Sequence, residues 1–435
     1  MQWLALVLLV PSSVAPAGAG ADLRPPGVGE YREDYGLLPP FLRFNRRQYE
    51  VARDLGLVVV GKTSSPAALT RAARMGKLQP LRNDTFPCDL SLGRSSRRPK
   101  SVHELRPGDI AVVGALGESL TAASGATATA VRHVYTENRG SDFSAGGQGS
   151  WREFLTLPNI VKVFNPDLVG FSLDDSFTHH RASQFNVAEP AATSRNLPHM
   201  ASVLVKRIKA DPRVDFHNDW KLVTVMMGSN DFCFDMCYGD FKSAPERHRK
   251  DLYKLLDYLR DNLPRTFVNL VLSPNLRIVM DFKGLRPVCG VTRRWLCPCL
   301  FGQTFSSQRP AFLPIMERWQ QVELQVANDV TYRGRKTFAV VAQPFTQHLI
   351  FPRRRDLAGV NVTDHTYLSE DCHHFSQKAY ARAANALWNN MLEPVGNKST
   401  NWQVEFERFL CPTEDRPFIY TADNSNLPVA NKQPN

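Results

Sequence analysis

Three residue types in this chain stand in an order that suits nucleophilic ester chemistry. Gly117-Glu118-Ser119-Leu120 closes an apolar run, Asp109–Gly117 (DIAVVGALG). Ser119 is therefore expected at a strand end, where a following helix start offers free N–H groups. Far downstream, Asp371-Cys372-His373-His374 puts an aspartate three residues before a histidine. A serine hydroxyl needs a base at hydrogen-bond distance, and that base needs a partner to fix its tautomer. One D-x-x-H loop supplies both, which makes His374 the candidate base and Asp371 its orienter. Gly228-Ser229-Asn230-Asp231 closes another apolar run, and an Asn amide there can donate to an oxyanion. Gly146-Gly147-Gln148-Gly149 is a loop whose glycines allow a backbone N–H to approach a substrate. Taken singly, each piece also reads as an ordinary turn, Asx turn or flexible loop.

The elements that must position these residues are legible as alternating patterns. Near-continuous apolar runs at Asp109–Gly117, Leu168–Ser172, Lys221–Gly228, Thr266–Ser273 and Lys336–Phe345 suit strands buried on both faces. Helical patterns near 151–164, 197–210, 244–262 and 313–330 lie between them. A last helix starts near Ser376, with Tyr380, Ala384, Leu387, Trp388 and Met391 as its apolar stripe. Strands alternating with helices predict an α/β fold with a parallel sheet covered on both sides. Functional groups then gather beyond the C-terminal ends of the strands.

Composition narrows the class of protein. Hydrophobic residues at 43% and charged residues at 22% describe a globular chain rather than a disordered one. The net charge of +11 is concentrated between Arg43 and Arg106, where basic residues outnumber acidic ones. No aromatic-interleaved basic groove and no zinc-finger or helix-turn-helix spacing accompanies it, so no nucleic acid is expected as partner. An anionic membrane surface is the functional reading of that face, and a solvated basic face the bland one. Trp3–Val10 is a short apolar run followed by small residues, which predicts an export signal over 1–19. It is too short to span a bilayer. The polar C-terminus, from Val429 onward, shows no anchor pattern, so a secreted protein is expected. Eight cysteines in an exported chain suggest disulfides rather than zinc ligands, whose histidines at fixed spacing are missing. Cys88 and Cys411 bracket the patterned region, each beside a proline, and are expected to pair; so are Cys233 and Cys237. Sequons at Asn83, Asn361 and Asn397 predict glycosylation in the same compartment.

The order GESL, GG, GSND, D-x-x-H resembles the four blocks of GDSL (SGNH) hydrolases. Lys100–Ile110, Ser144–Gly147, Leu157–Lys162, Asp219–Thr224, Phe338–Phe345, Asp371–Lys378 and Ala386–Gly396 further resemble the catalytic repeats of membrane-associated phospholipase B. The resemblance covers roughly residues 87 to 426. It implies a three-layer α/β/α sandwich with a parallel, flavodoxin-like five-stranded sheet. It implies hydrolysis of fatty-acyl esters of phospholipids or related lipids through an acyl-enzyme, with no metal and no cofactor. Carried over, Ser119 is the nucleophile, His374 the general base and Asp371 its orienter. The Ser119 N–H, the Gly147 N–H and the Asn230 side chain make the oxyanion hole. The chain divides accordingly into a signal peptide (1–19), a loosely ordered Pro/Arg-rich leader (20–87), the hydrolase-like domain (88–426) and a polar tail (427–435). Glu118, Gln148 and Ala123 replace the family's Asp, Asp and Gly. They keep two alternatives open: a catalytically weakened scaffold that binds lipid, and an esterase for small or carbohydrate-linked acyl groups.

Overall fold

The computed structural model describes residues 29–31, 39–60 and 63–425. The expected signal peptide and polar tail lie outside the described residues. Four apolar runs form the central sheet: β1 (Ile110–Gly117), β2 (Trp220–Met226), β3 (Thr266–Val271) and β4 (Phe338–Gln343). They are parallel and lie in the order β1-β2-β3-β4. One rung runs Val113, Leu222, Phe267, Ala339.

Alternate residues along each strand point to opposite faces. Val113, Leu222, Phe267 and Ala339 enter one core with α3 (Leu157–Phe164) and α8 (Gln377–Met391). Val112, Val223, Val268 and Val340 enter a second core with α4 (Leu197–Ala210), α5 (Ala244–Asn262) and α7 (Arg309–Ala327). Both faces are thus covered, which gives the three-layer α/β/α arrangement. The predicted stripe of α8, from Tyr380 to Met391, is fully buried.

A fifth strand over Leu168–Ser172 does not form. Val169 makes one parallel bridge to Val112, and beyond Gly170 the edge of β1 is taken over by Phe185 and Val187. Gly170 sits at φ +98°, and a Cβ there would lie 2.3 Å from the Val113 carbonyl oxygen. The chain turns away where a strand would have continued.

Before the sheet stand the helices α1 (Pro40–Val60) and α2 (Pro66–Arg74). Ser65 caps α2 by accepting the Ala68 N–H, and Pro66 follows at the first helical position. The described part of the leader is packed rather than loose. Leu42 is buried, and the Arg46 guanidinium is paired with buried Glu189. Lys77 is buried and donates to the Leu368 and His365 carbonyls.

Cys88 pairs with Cys411 as expected. The expected Cys233–Cys237 bridge is replaced by Cys233–Cys297 and Cys237–Cys299. Four residues apart in a helical stretch, the first two sulfurs project to one side. There they meet the short Cys297-Pro298-Cys299 segment, one sulfur each. Cys289–Cys372 closes the fourth bridge, between α6 (Pro287–Leu296) and the D-x-x-H loop. Asn83, Asn361 and Asn397 are all exposed.

Candidate active site

The sheet delivers Ser119 just past the end of β1 and Asn230 past the end of β2. Between them stands Glu118, with no exposed surface. Its carboxylate accepts the N–H groups of Ser229 (2.8 Å) and Asn230 (2.9 Å). The longer side chain therefore spans from one strand end to the next and sets the distance between them. Burial pushes the Glu118 carboxyl up, against the Ser229 and Asn230 hydrogen bonds that favour its charged form. Asp231 is pushed up strongly by burial and then by Glu118.

The base loop approaches from the start of α8. His374 Nε2 lies 2.8 Å from Ser119 Oγ, and His374 Nδ1 lies 2.5 Å from Asp371 Oδ2. The other Asp371 oxygen accepts the N–H groups of His373 and His374, each at 3.0 Å. Burial works to raise the Asp371 carboxyl, but the adjacent His374 overcomes it and holds it down at about 2. His373 is driven down to about 3 by burial and by His374 beside it, so it stays neutral. The sequence therefore picked three side chains that the fold brings into one hydrogen-bonded chain.

The loop is secured from several sides. Thr292 Oγ1 donates to the Asp371 carbonyl at 2.7 Å, and Cys372 is bridged to Cys289. Glu370 is held by Lys77 at 3.0 Å and Arg286 at 2.9 Å.

Gly147 is not brought to this place. Its N–H donates to the Ser172 carbonyl at 2.8 Å, and it lines neither cavity at Ser119. A Cβ on it would lie 2.1 Å from the Phe171 ring, so the glycine serves packing there. The residue that sequence reasoning missed is Ala191. It lines the cavity beside Ser119 and Asn230, in the left-handed region at φ +61°. Nothing in an alanine signals a positive φ, which L-residues rarely adopt. Asn230 Nδ2 donates to the neighbouring Ala192 carbonyl at 2.9 Å, leaving its second amide hydrogen available.

Two cavities meet at Ser119 and His374. One is a slot of about 30 Å³ walled by apolar side chains including Leu276, Ile278, Phe282, Phe351 and Phe375. The other is a cavity of about 780 Å³, walled by Phe41, Phe44, Tyr49, Tyr135, Phe234 and Trp295. Arg195 and Asp235, paired at 2.6 Å, supply charge at its edge. Three of its aromatic walls come from α1, which the sequence reading left outside the site. Elsewhere, Glu30, His179 and His180 bring ligand-type atoms within 4.8 Å of one another. Burial, His180 and nearby arginines drive His179 down to about 3, an environment that also opposes a bound cation.

With this geometry in place, known proteins supply the relationship. A model of the GDSL-like lipase/acylhydrolase family matches residues 113–387. The chain belongs to that family. It is 37% identical over 363 residues to a Mus musculus protein named phospholipase B1, membrane-associated, covering 81% of this chain and 24% of that protein. To the Homo sapiens protein of the same name it is 38% identical over 336 residues, covering 77% of this chain and 22% of that one. The chain thus spans about a quarter of the length of these relatives. In this GDSL-family chain, no helix among the described residues is long and apolar enough to cross a membrane.

Proposed function

We propose that this chain is an exported serine hydrolase cleaving fatty-acyl esters of phospholipids or related lipids through an acyl-enzyme. The observation that carries the reading is the Ser119–His374–Asp371 chain at the floor of two largely apolar cavities. Ser119 Oγ attacks the ester carbonyl and gives its proton to His374 Nε2. Asp371 holds the Nδ1–H tautomer and stabilises the imidazolium. The tetrahedral oxyanion is met by the Ser119 N–H, the Asn230 amide and, in place of Gly147, the Ala191 N–H. Neither of those two N–H groups has an acceptor among the described residues. Collapse expels the alcohol, which takes the proton back from His374. Water, deprotonated by the same histidine, then releases the fatty acid. The basic N-terminal region suits an anionic lipid surface.

A serine-directed fluorophosphonate tests the reading. Mass spectrometry should place the adduct on Ser119, and Ser119→Ala should lose both the adduct and ester hydrolysis. An adduct elsewhere, with Ser119→Ala still active, defeats the assignment. Ala191, an L-residue held at positive φ beside the candidate nucleophile, favours a second reading: a slowed enzyme that mainly binds lipid. A folded chain with neither adduct nor turnover would select it.

A further inference from the structure

Helix α1 presents an unusual face to solvent. Phe41, Phe44, Val51, Leu55 and Val58 fall on one stripe at helical spacing, and each is more than half exposed. The opposite face is committed to the domain through buried Leu42 and the Arg46–Glu189 pair. A surface helix ordinarily turns polar residues outward. An exposed apolar stripe of this length, interrupted by Arg47 and Gln48, marks an interaction surface.

The stripe is continuous with the mouth of the wide cavity. Phe41 and Phe44 belong to both, since they line the cavity and are 61% and 62% exposed. Across the opening, Trp295 of α6 does the same at 65% exposure, with Val291 one turn earlier at 69%. Tyr135 links the two lips, with ring centroids 5.4 Å from Tyr49 and 6.4 Å from Trp295. Exposed Arg47 on α1 and Arg294 on α6 flank the apolar residues, and neither has an acidic partner among the described residues. Aliphatic and aromatic groups beside arginines are the composition of a helix lying in a lipid headgroup layer.

We infer that the α1 stripe and the Val291–Trp295 lip form one docking surface for a phospholipid bilayer containing anionic lipid. Docking there sets the cavity mouth against the membrane, so that a lipid enters without crossing water. The inference rests on the lipid-ester reading above.

The full chain carrying Ser119→Ala should float with phosphatidylcholine vesicles that contain phosphatidylserine. Adding Val51→Glu and Leu55→Glu, which lie outside the cavity lining, should cut the bound fraction by about tenfold. In the active chain the same pair should leave hydrolysis of a soluble short-chain aryl ester unchanged and depress hydrolysis of vesicle lipid by about tenfold. Should the pair fail to fold, Arg47→Glu with Arg294→Glu decides instead: binding to anionic vesicles should weaken at low salt. Undiminished flotation of the variants, or no flotation of the parent, overturns the inference. So does a chain dimer that the glutamates disperse, with no vesicle binding, since the stripe would then join two copies. Loss of aryl-ester turnover in the parent counts against the enzymatic reading instead, whatever the vesicles do.

Discussion

On one side of Ser119 the base loop is gripped by a disulfide, a threonine hydroxyl and two cations acting on Glu370. On the other side the Asn230 segment is held by the Glu118 carboxylate and by its amide bond to Ala192, and the Ala191 segment by Glu189, whose N–H donates to the Gly117 carbonyl and whose carboxylate pairs with Arg46. The base side is built from redundant, long-range ties. The Asn230 side is tied through the buried Glu118 carboxylate and contains Ala191, in a backbone conformation that favours glycine. The difference follows from what each side must hold. The proposed base needs its imidazole kept in one orientation, and the disulfide, the Thr292 hydroxyl and the two cations on Glu370 hold its loop. The Glu118 carboxylate, accepting the Ser229 and Asn230 N–H groups, fixes the backbone that carries the Asn230 amide.

The contrast predicts unequal responses to damage. Lys77→Met strips one cation from Glu370 and leaves two carbonyls without their donor. Removing one partner of a buried pair costs about 3–5 kcal/mol, and here about 2–3 kcal/mol because Arg286 remains. Urea unfolding measures it, and an unchanged midpoint would show that the N-terminal segment is not part of the clamp. Glu118→Asp shortens the strut that joins the ends of β1 and β2. Misplacement of about 1 Å costs about 100-fold in rate, so kcat/KM on an aryl ester should fall by tenfold or more while stability changes less. A gain in rate would mean that glutamate handicaps the site. Ala191→Gly removes the positive-φ strain and is expected to raise stability by about 1 kcal/mol at its native conformation, less the added freedom of the unfolded chain. A destabilised variant would show that the alanine methyl contributes packing that outweighs the strain.

Much of this was legible in the residues because it is local. Continuous apolar runs marked β1 to β4, since a strand buried on both faces needs them in every position. Asp371 and His374 were legible because three residues of chain suffice to place one beside the other. Ser119 was legible from its place after an apolar run together with the resemblance of its GESL segment to a family block. What joins distant segments was not. The spacing of Cys233 and Cys237 says nothing of Cys297 and Cys299, whose approach depends on how a helical turn packs. Gly147 looked like a donor because glycine frees the backbone, yet its N–H is spent on Ser172. Ala191 took its conformation from the packed loop around it, which no alanine encodes. The sequence by itself determined the alternation of strands and helices and the Asp371–His374 spacing, which follow from periodicity and short range, while the joining of Ser119 to that pair was implied by the family resemblance. Only the tertiary structure decided that Ala191 and not Gly147 lines the cavity at Ser119, which cysteines meet and that α1 walls the cavity. Those depend on contacts between residues far apart in the chain, and local pattern carries no record of them.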